Sequence, residues 1–276
     1  GGLEVVIVDS SSTDGTDAMV KNVTLPFPIR YIRQENRGKT GARNRGIRLA
    51  SGELILLTDG DMVPHPEWVL EHAKFSKRFP GSVGIGKTIP LRSEKEDPLA
   101  RENWLPSLFD NLRDDHRVPF WRFHTGNVSV PKELLLRVGL FDEDFQGYGW
   151  EDIEIGYRLK KIGRANFRMI PARNFHFQFV SPEEDLHRKF LSGASGVLFL
   201  KKHPEWNVRY LVLGFHPIAM AIFRFLDRRP NVVRKLRDHF QNNGSLPIHD
   251  WKKNLLYEYE YRRGAREEAT RLGISL

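Results

Sequence analysis

The sequence predicts an α/β fold in which a mostly parallel sheet is flanked by helices and followed by a helical C-terminal extension. Short apolar, β-branched runs alternate with helical patterns over residues 3–90, which is typical of sheets connected by crossovers. Two of these runs end in acidic residues, at Asp9 and at Asp59-Gly60-Asp61. Beyond Ser181-Pro182 the pattern becomes helical.

The N-terminal half of the pattern alternates regularly. The predicted elements are strands at 3–9, 29–32 and 53–58 and helices at 14–20 and 43–50. The strands are short β-branched and aliphatic runs, as expected of buried parallel strands. Ser51-Gly52 supplies a helix stop directly before the third strand. Ligands bind outside the carboxyl ends of strands in such sheets, so the acids lie where a site is expected.

The following segments are predicted less regularly. The expected helices are 64–80, 132–138 and 151–162, and the expected strands are 83–86, 168–171 and 175–177, with an ordered segment at 123–130. Residues 93–118 are charged and irregular. We expect an i,i+4 ion pair between Glu154 and Arg158. The predicted domains are 1–180, with halves of about 1–90 and 91–180, and a basic helical extension at 181–276.

The composition excludes several classes of protein. Of 276 residues, 40% are hydrophobic and 28% are charged, which argues against a disordered chain. The absence of cysteine excludes disulfides and thiolate metal sites and favours a reducing compartment. The first residues lack the pattern of a secretory signal, and the apolar stretch 210–223 is shorter than the about 20 residues of a membrane span. We therefore expect a cytoplasmic protein.

The charge of the chain is unevenly distributed. The net charge is +8, and residues 201–276 carry 15 Lys and Arg against 8 Asp and Glu. Because the basic excess avoids the motif-bearing region, we expect no nucleic-acid partner. Two interpretations of residues 209–237 remain open: a helical extension packed on the first domain, which we favour, and an interfacial helix at the inner face of a membrane.

The paired carboxylates Asp59 and Asp61 follow a buried strand, where they could bind Mg²⁺ or Mn²⁺ and through it a diphosphate. The alternative is a solvated Asp-Gly-Asp turn.

Asp9 and the following Ser/Thr loop could contact a base or ribose, or could simply cap the next helix. Lys39 and Arg43 lie near a helix N-terminus and could bind phosphates.

The segment Gly147-Tyr148-Gly149-Trp150-Glu151-Asp152 places two acids at a helix start after an aromatic ring. One carboxylate could act as a general base while the Trp150 ring packs on a sugar. Compensation of the helix dipole explains the acids equally well, but it does not explain the residues before them. His176 is the best available nitrogen ligand for a metal ion, although a histidine between aromatic residues is more often structural.

The ordered series of motifs resembles the family-2 glycosyltransferases of GT-A fold, and especially the chondroitin-polymerase and galactosyltransferase-like branch. The series is Val-Asp-Ser-Ser-Ser-Thr-Asp-Gly-Thr, Asn-Arg-Gly with Ala-Arg-Asn-Arg-Gly, Asp-Gly-Asp, Thr-Gly-Asn and Gly-Tyr-Gly-Trp-Glu-Asp, over residues 3–180. The resemblance implies metal-dependent, inverting transfer of a hexosyl or N-acetylhexosaminyl group. We expect a UDP-linked donor and a glycan or lipid-linked acceptor, in cell-envelope polysaccharide biosynthesis.

The resemblance also implies a role for each matched residue. The implied roles are nucleoside contact for Asp9, ribose proximity for Asp59, metal binding for Asp61 and His176 with Asp59, donor-sugar contact for Gly126 and Asn127, ring packing for Trp150, catalytic base for Asp152 and acceptor orientation for Glu151. Two departures are visible. Ser10 replaces an acid, and the strand that precedes the first helix in the family has no counterpart, so we expect an N-terminally shortened chain.

Two other functions remain open from the sequence. Acids at strand ends with a divalent ion would also serve a sugar-phosphate nucleotidyltransferase. A truncated domain that binds sugar nucleotides or glycans without catalysis is the second alternative.

Overall fold

The computed structural model describes residues 2–91, 115–163, 165–242 and 250–276, so most of the irregular stretch 93–118 lies outside the described residues. The chain divides into two compact units. The first comprises Gly1–Gln146 with Glu151–Phe179, and the second comprises Gly147–Trp150 with Val180–Leu276. The α/β class and the helical C-terminal region predicted from the sequence are confirmed.

The first unit contains two sheets and their flanking helices. Its strands are β1 (Val5–Asp9), β2 (Ile29–Arg33), β3 (Leu54–Leu57), β4 (Met62–Pro64), β5 (Val83–Pro90), β6 (Val128–Pro131) and β7 (Phe167–His176). Its helices are α1 (Thr16–Asn22), α2 (Gly38–Leu49), α3 (Trp68–Arg78), α4 (Lys132–Arg137) and α5 (Glu151–Lys161), with a 3₁₀ turn at Phe120–Arg122. The predicted ion pair of Glu154 with Arg158 is present in α5, with two contacts of 2.7 Å.

The strand directions correct the expectation of a mostly parallel sheet. β1 and β2 pair in parallel, whereas the second sheet has the mixed order β3-β6-β5-β7-β4. In this sheet only β5 and β7 are parallel, and the pairs β3–β6, β5–β6 and β4–β7 are antiparallel. An apolar run indicates that a strand is buried, but it does not indicate which way its neighbours run.

β7 is one long strand, where the sequence pattern predicted two short ones. β7 runs for ten residues through Pro171, and the register with β5 shifts between Ile85 and Lys87. A proline is tolerated in a sheet interior at such an irregularity, because no ladder hydrogen bond is required from it there. Sequence analysis missed β4, whose three residues are too short to show a periodic pattern.

The antiparallel pairings bring the polar loops to one edge of the second sheet. β6 pairs with β3 so that Leu57 lies opposite Val128, which places the Gly126-Asn127 loop beside the segment that leaves β3. β4 pairs with β7 so that Met62 lies opposite His176. The residues at the start of β6 therefore share an edge with the carboxyl ends of β3 and β7. Helices α3 and α4 pack on this sheet, and α2 packs on β1.

The second unit is helical. It contains α6 (Pro182–Lys202), a π-helical segment at Val208–Val212, α7 (Pro217–Asp227), α8 (Pro230–Asn242) and α9 (Trp251–Leu272). The Ser181 side chain caps α6 by accepting a hydrogen bond from the Glu184 amide, and Asp250 caps α9 in the same way. Among the described residues, we find no helix with the length and apolar character needed to cross a bilayer.

Two glycines set the close approach of α6 and α9. A Cβ added at Gly193 would overlap the carbonyl oxygen of Tyr261, and one at Gly264 would overlap that of Phe190. The two backbones meet at these positions, so any larger residue would force the helices apart. Around the contact, Leu186, Leu256 and Tyr259 join the apolar cluster that holds the helices together.

Candidate active site

Three carboxylates, from the segment after β3 and from the first turn of α5, meet around the guanidinium of Arg43 in the first unit. Arg43 of α2 lies 2.7 Å from Asp59, which follows β3, and 3.3 Å from both Glu151 and Asp152 of α5. We call these four residues the Arg43 cluster. The Arg43 side chain is 14% exposed, so the ion pairs are poorly screened by solvent.

The first turn of α5 presents Glu151 and Asp152 because a helix N-terminus favours negative charge. Glu151 is 4% exposed and also lies 2.6 Å from the Lys39 ammonium. Its Oε1 atom pairs with both Lys39 and Arg43, whereas its Oε2 atom is buried and accepts no hydrogen bond from the described residues. A buried carboxylate oxygen without a partner is uncommon in folded proteins.

Asp152 is held by a neighbouring loop as well as by Arg43. Its Oδ2 atom accepts hydrogen bonds from the Thr125 backbone amide and hydroxyl, each at 3.0 Å. Burial raises the pKa of Asp152 to about 6, with Arg43 opposing that rise and the charge of Glu151 adding to it. The carboxylate is therefore ionised at neutral pH but close enough to its pKa to accept a proton.

The charge on Arg43 is fixed by its neighbours. Burial alone would lower the pKa of Arg43, but the charges of Asp152, Asp59 and Glu151 outweigh burial and raise it. Arg43 thus remains a cation throughout the working pH range. Lys39 and Arg43, which the sequence suggested as phosphate contacts, both face carboxylates of α5.

A second pair of predicted residues meets at the β4–β7 pairing. The His176 Nε2 atom lies 3.2 Å from the Asp61 Oδ2 atom, and the Gln178 amide donates to the same oxygen at 3.2 Å. The backbone reinforces this arrangement, because the Phe177 amide donates to the Asp61 carbonyl at 2.7 Å. The side chains of Asp61 and His176 are 37% and 28% exposed, so both are open to an incoming group.

The predicted metal set needs a correction at Asp59. In the described part of the chain, no three Asp, Glu, His or Cys side chains are grouped closely enough to bind one ion. The Asp59 carboxylate pairs with Arg43 instead of joining Asp61 and His176, because the buried guanidinium is the stronger partner at 2.7 Å. Of the three residues in the predicted metal set, only Asp61 and His176 lie beside each other, with an oxygen and a nitrogen atom facing at 3.2 Å.

Of the two predicted sugar contacts, Gly126 lies at this edge, whereas the side chain of Asn127 is buried in the fold. A Cβ at Gly126 would lie 3.8 Å from the Asp59 Oδ2 atom, so this glycine borders the carboxylates. Asn127 is 2% exposed and its side chain is used within the fold. Its amide oxygen accepts from Trp68 and interacts with His72, and its amide nitrogen donates to the Lys87 and Ala172 carbonyls. Asn127 is therefore a core residue here and not a sugar contact.

Trp150 is also placed differently from the expectation. It belongs to the second unit, where its ring lies 5.9 Å from that of Phe199 and 6.3 Å from that of Tyr261. Its backbone is left-handed, with φ of 71°, and Gly149 before it has φ of 82°. Packing against two aromatic rings gives this side chain a structural role, because buried aromatic contacts stabilise a helical unit strongly.

Asp9 ends β1 with both carboxylate oxygens engaged. One accepts from the Ser12 amide at 2.8 Å and the other from the Tyr31 hydroxyl at 2.5 Å. These hydrogen bonds from Ser12 and Tyr31 lower the pKa of Asp9 to about 2. Asp9 is 5% exposed. Its carboxylate holds the loop that follows β1 in place.

Several residues of the site were missed by sequence analysis. Thr125 precedes the noted Gly-Asn pair, but its bond to Asp152 connects positions 27 residues apart. Tyr31 contacts Asp9 because β2 pairs with β1, and Gln178, which follows β7, contacts Asp61 because β7 pairs with β4. The sequence does not show which strands pair. His72 could have been found from its place on the apolar face of α3 beside Trp68, four residues away.

Comparison with known proteins agrees with the motif series. Residues 1–145 match the sequence model of the family described as Glycosyl transferase family 2. Validoxylamine A glucosyltransferase of Streptomyces hygroscopicus subsp. jinggangensis (strain 5008) is 32% identical over 233 residues, covering 73% of this chain and 54% of that protein. Chondroitin synthase of Escherichia coli is 29% identical over 234 residues, covering 73% and 34%.

Hyaluronan synthase of Pasteurella multocida is 31% identical over 193 residues, covering 58% of this chain and 20% of that protein. The chain thus spans about half or less of the length of these relatives. TarS residues 1–349 of S. aureus has a TM-score of 0.53 at 16% identity, covering 98% of this chain and 82% of that one. The same TarS fragment in complex with UDP has a TM-score of 0.50 at 18% identity, with the same coverage. This likeness shows a shared fold.

The contacts of the Arg43 cluster predict that the pKa of Asp152 depends on Arg43. Replacing Arg43 with Gln removes the cation that opposes the effects of burial and of Glu151, so the pKa of Asp152 should rise above about 6 by at least about 1. Carbon-13 NMR titration of the aspartate carboxyl groups, assigned with an Asp152→Asn sample, measures it. Arg45→Gln on the exposed side of α2 is the control and should leave the value unchanged. A pKa that stays put or falls in Arg43→Gln contradicts the assignment.

The corrected role of Asn127 is testable by stability. Asn127→Ala leaves the Trp68 and His72 donors and two carbonyls without their partner, so the free energy of unfolding should fall by about 2–4 kcal/mol. Urea denaturation measures this change. Asn22→Ala, at the exposed end of α1, is the matched control with an expected change within about 0.5 kcal/mol. An equally small change at Asn127 would restore the interpretation as a ligand contact.

Proposed function

Because the chain belongs to glycosyl transferase family 2, we propose that it transfers a sugar from a nucleotide diphosphate donor to a hydroxyl acceptor, with inversion at the anomeric carbon. The observation that carries the proposal is the Arg43 cluster, in which burial raises the pKa of the largely buried Asp152 to about 6 while Arg43 favours its ionised form. We propose a UDP-linked donor, a choice supported by the TarS complex with UDP. A glycan or lipid-linked hydroxyl is the proposed acceptor, and the cytoplasm the proposed location.

The chemical step requires a base for the acceptor hydroxyl. Asp152 takes the proton of that hydroxyl while the oxygen attacks the anomeric carbon, and the bond from that carbon to the diphosphate oxygen breaks on the opposite face. The proton ends on the Asp152 carboxylate, and the electron pair leaves with the nucleoside diphosphate. One displacement with no covalent enzyme intermediate inverts the configuration.

Three neighbours of Asp152 support its proposed role: they orient it, stabilise its ionised form and position the acceptor. The Thr125 amide donates to Oδ2 of Asp152, and the Thr125 hydroxyl lies 3.0 Å from Oδ2 and 3.1 Å from Oδ1, so Thr125 holds the orientation of the carboxylate. Arg43 stabilises the ionised form, which keeps the base available at neutral pH. Glu151 offers its unpartnered Oε2 atom to a second acceptor hydroxyl, which supports the proposed role of Glu151 in acceptor orientation.

A divalent cation fits the pair of Asp61 and His176. Their facing atoms are 3.2 Å apart and partly exposed, and Mg²⁺ is commonly held by one or two protein groups while phosphates and water complete its shell. An imidazole beside a carboxylate also suits Mn²⁺. When bound there, the ion would neutralise charge on the diphosphate. Asp9 is the proposed nucleoside contact, because it lies at the carboxyl end of β1.

The base is tested with an isosteric substitution. Asp152→Asn cannot take a proton, so sugar transfer should fall about 10²–10⁴-fold while donor affinity changes little. In the wild type, the rate should rise with pH through about 6 and then level off, since only ionised Asp152 is active. Product formation is followed by chromatography with a panel of nucleotide sugars and Mn²⁺, and donor affinity by calorimetry.

Asp238→Asn, an exposed Asp-to-Asn change on α8, is the matched control and should keep full activity. Unimpaired turnover in Asp152→Asn would remove this residue from the mechanism. Release of pyrophosphate from a nucleoside triphosphate and a sugar phosphate would instead identify a nucleotidyltransferase. Absence of any heat with UDP and Mn²⁺ would contradict donor binding itself.

A further inference from the structure

Helix α7 of the second unit has two apolar faces, of which only one is used by the fold. Met220 is 3% exposed, and Phe223 and Leu226 pack on the apolar cluster formed with α8 and α9. This inner face is sufficient to hold the helix in place. The opposite face is apolar as well and needs a separate explanation.

The outer face carries a stripe of large apolar side chains. Ile218, Ile222 and Phe225 are 77%, 58% and 52% exposed. They are spaced by four and then three residues, so their side chains project from one side of the helix. Leu211, in the preceding π-helical segment, is 70% exposed. Apolar groups scattered singly on a surface are ordinary, but a stripe along one helix is typical of a binding surface.

The charges around this stripe are almost all positive. Residues 209–237 contain seven Lys and Arg residues and a single acid, Asp227. The side chain of Asp227 is 38% exposed, but it pairs with Arg266 of α9 at 2.7 Å and accepts from the Tyr259 hydroxyl at 3.0 Å. The charge of Asp227 is therefore balanced by Arg266, and the stripe itself contains no acid.

Several cations lie along one side of the stripe or near its C-terminal end. Arg224 and Arg228 are exposed, and on a helical projection they fall on one side of the line through Ile222. The Arg229 guanidinium lies over the Phe225 ring, 5.0 Å from its centroid. Arg234 and Lys235 of α8 are exposed too. An apolar stripe bordered by arginines is typical of a helix that lies in a membrane interface.

We propose that the outer face of α7 binds the surface of an anionic lipid bilayer, with Ile218, Ile222 and Phe225 inserted among the acyl chains. The flanking arginines would contact lipid phosphates. A bilayer surface meets both the apolar and the cationic requirement, whereas a second copy of this face would bring like charges together. An eleven-residue helix can lie in this interface without spanning it. This surface is independent of the proposed transfer reaction and of its residues.

Vesicle binding by the full chain tests the proposal. The wild type should sediment with phosphatidylcholine–phosphatidylglycerol vesicles at low salt and much less with phosphatidylcholine alone. Ile222→Ser with Phe225→Ser should lower the partition coefficient about tenfold or more, because two inserted side chains are lost. Arg228→Gln with Arg229→Gln should weaken binding to anionic vesicles only. Quenching of Phe225→Trp fluorescence by brominated acyl chains should report insertion.

The control is Leu136→Ser with Arg137→Gln on α4, which removes one exposed apolar side chain, 49% exposed, and one exposed cation from the first unit. This variant should bind vesicles as the wild type does. Circular dichroism confirms folding, and donor hydrolysis should be unchanged in the α7 variants. Equal binding by the α7 variants and the control overturns the proposal. So does a wild type that ignores anionic vesicles but forms a dimer that Ile222→Ser with Phe225→Ser dissociates.

Discussion

The interaction on which the site depends is the contact of one buried guanidinium with three carboxylates. Arg43 joins α2, the segment after β3 and the first turn of α5, so it fixes the mutual position of Asp59, Glu151 and Asp152. Glu151 and Asp152 are adjacent acids that repel each other, and Arg43 compensates both charges. Removing the cation of such a buried ion pair leaves uncompensated charge at a cost of about 3–5 kcal/mol. The same contact that stabilises the fold thus keeps the proposed base ionised.

The mixed sheet explains how residues from distant positions reach one edge. A strand that enters the sheet antiparallel places its first residues beside the last residues of its neighbours. β6 does this next to β3, bringing Thr125 and Gly126 toward the carboxylates. β4 does it next to β7, bringing Asp61 to His176. A wholly parallel sheet would have sent these loops to the opposite edge.

The sequence predicted the class of the fold and the grouping of most acids, because apolar runs and strand-end polar residues are local features. It did not predict the direction of the strands, nor that Asn127 and Trp150 would be occupied by packing, since each of these depends on partners far along the chain. Asp59 illustrates the same limit: spacing placed it with Asp61, whereas the pairing with Arg43 requires the folded position of α2. The roles of Asp9, Glu151, Asp152 and the Asp61–His176 pair stay predictions.

The most direct measurement is a crystal structure of the chain with Mn²⁺ and an unreactive analogue of a UDP-sugar. The account predicts the diphosphate at the edge that carries Asp61 and His176, the ion in contact with both side chains, and the anomeric carbon facing an Asp152 that still contacts Arg43 and Thr125. A nucleotide bound elsewhere, or an Asp152 turned away from the anomeric carbon, would contradict it.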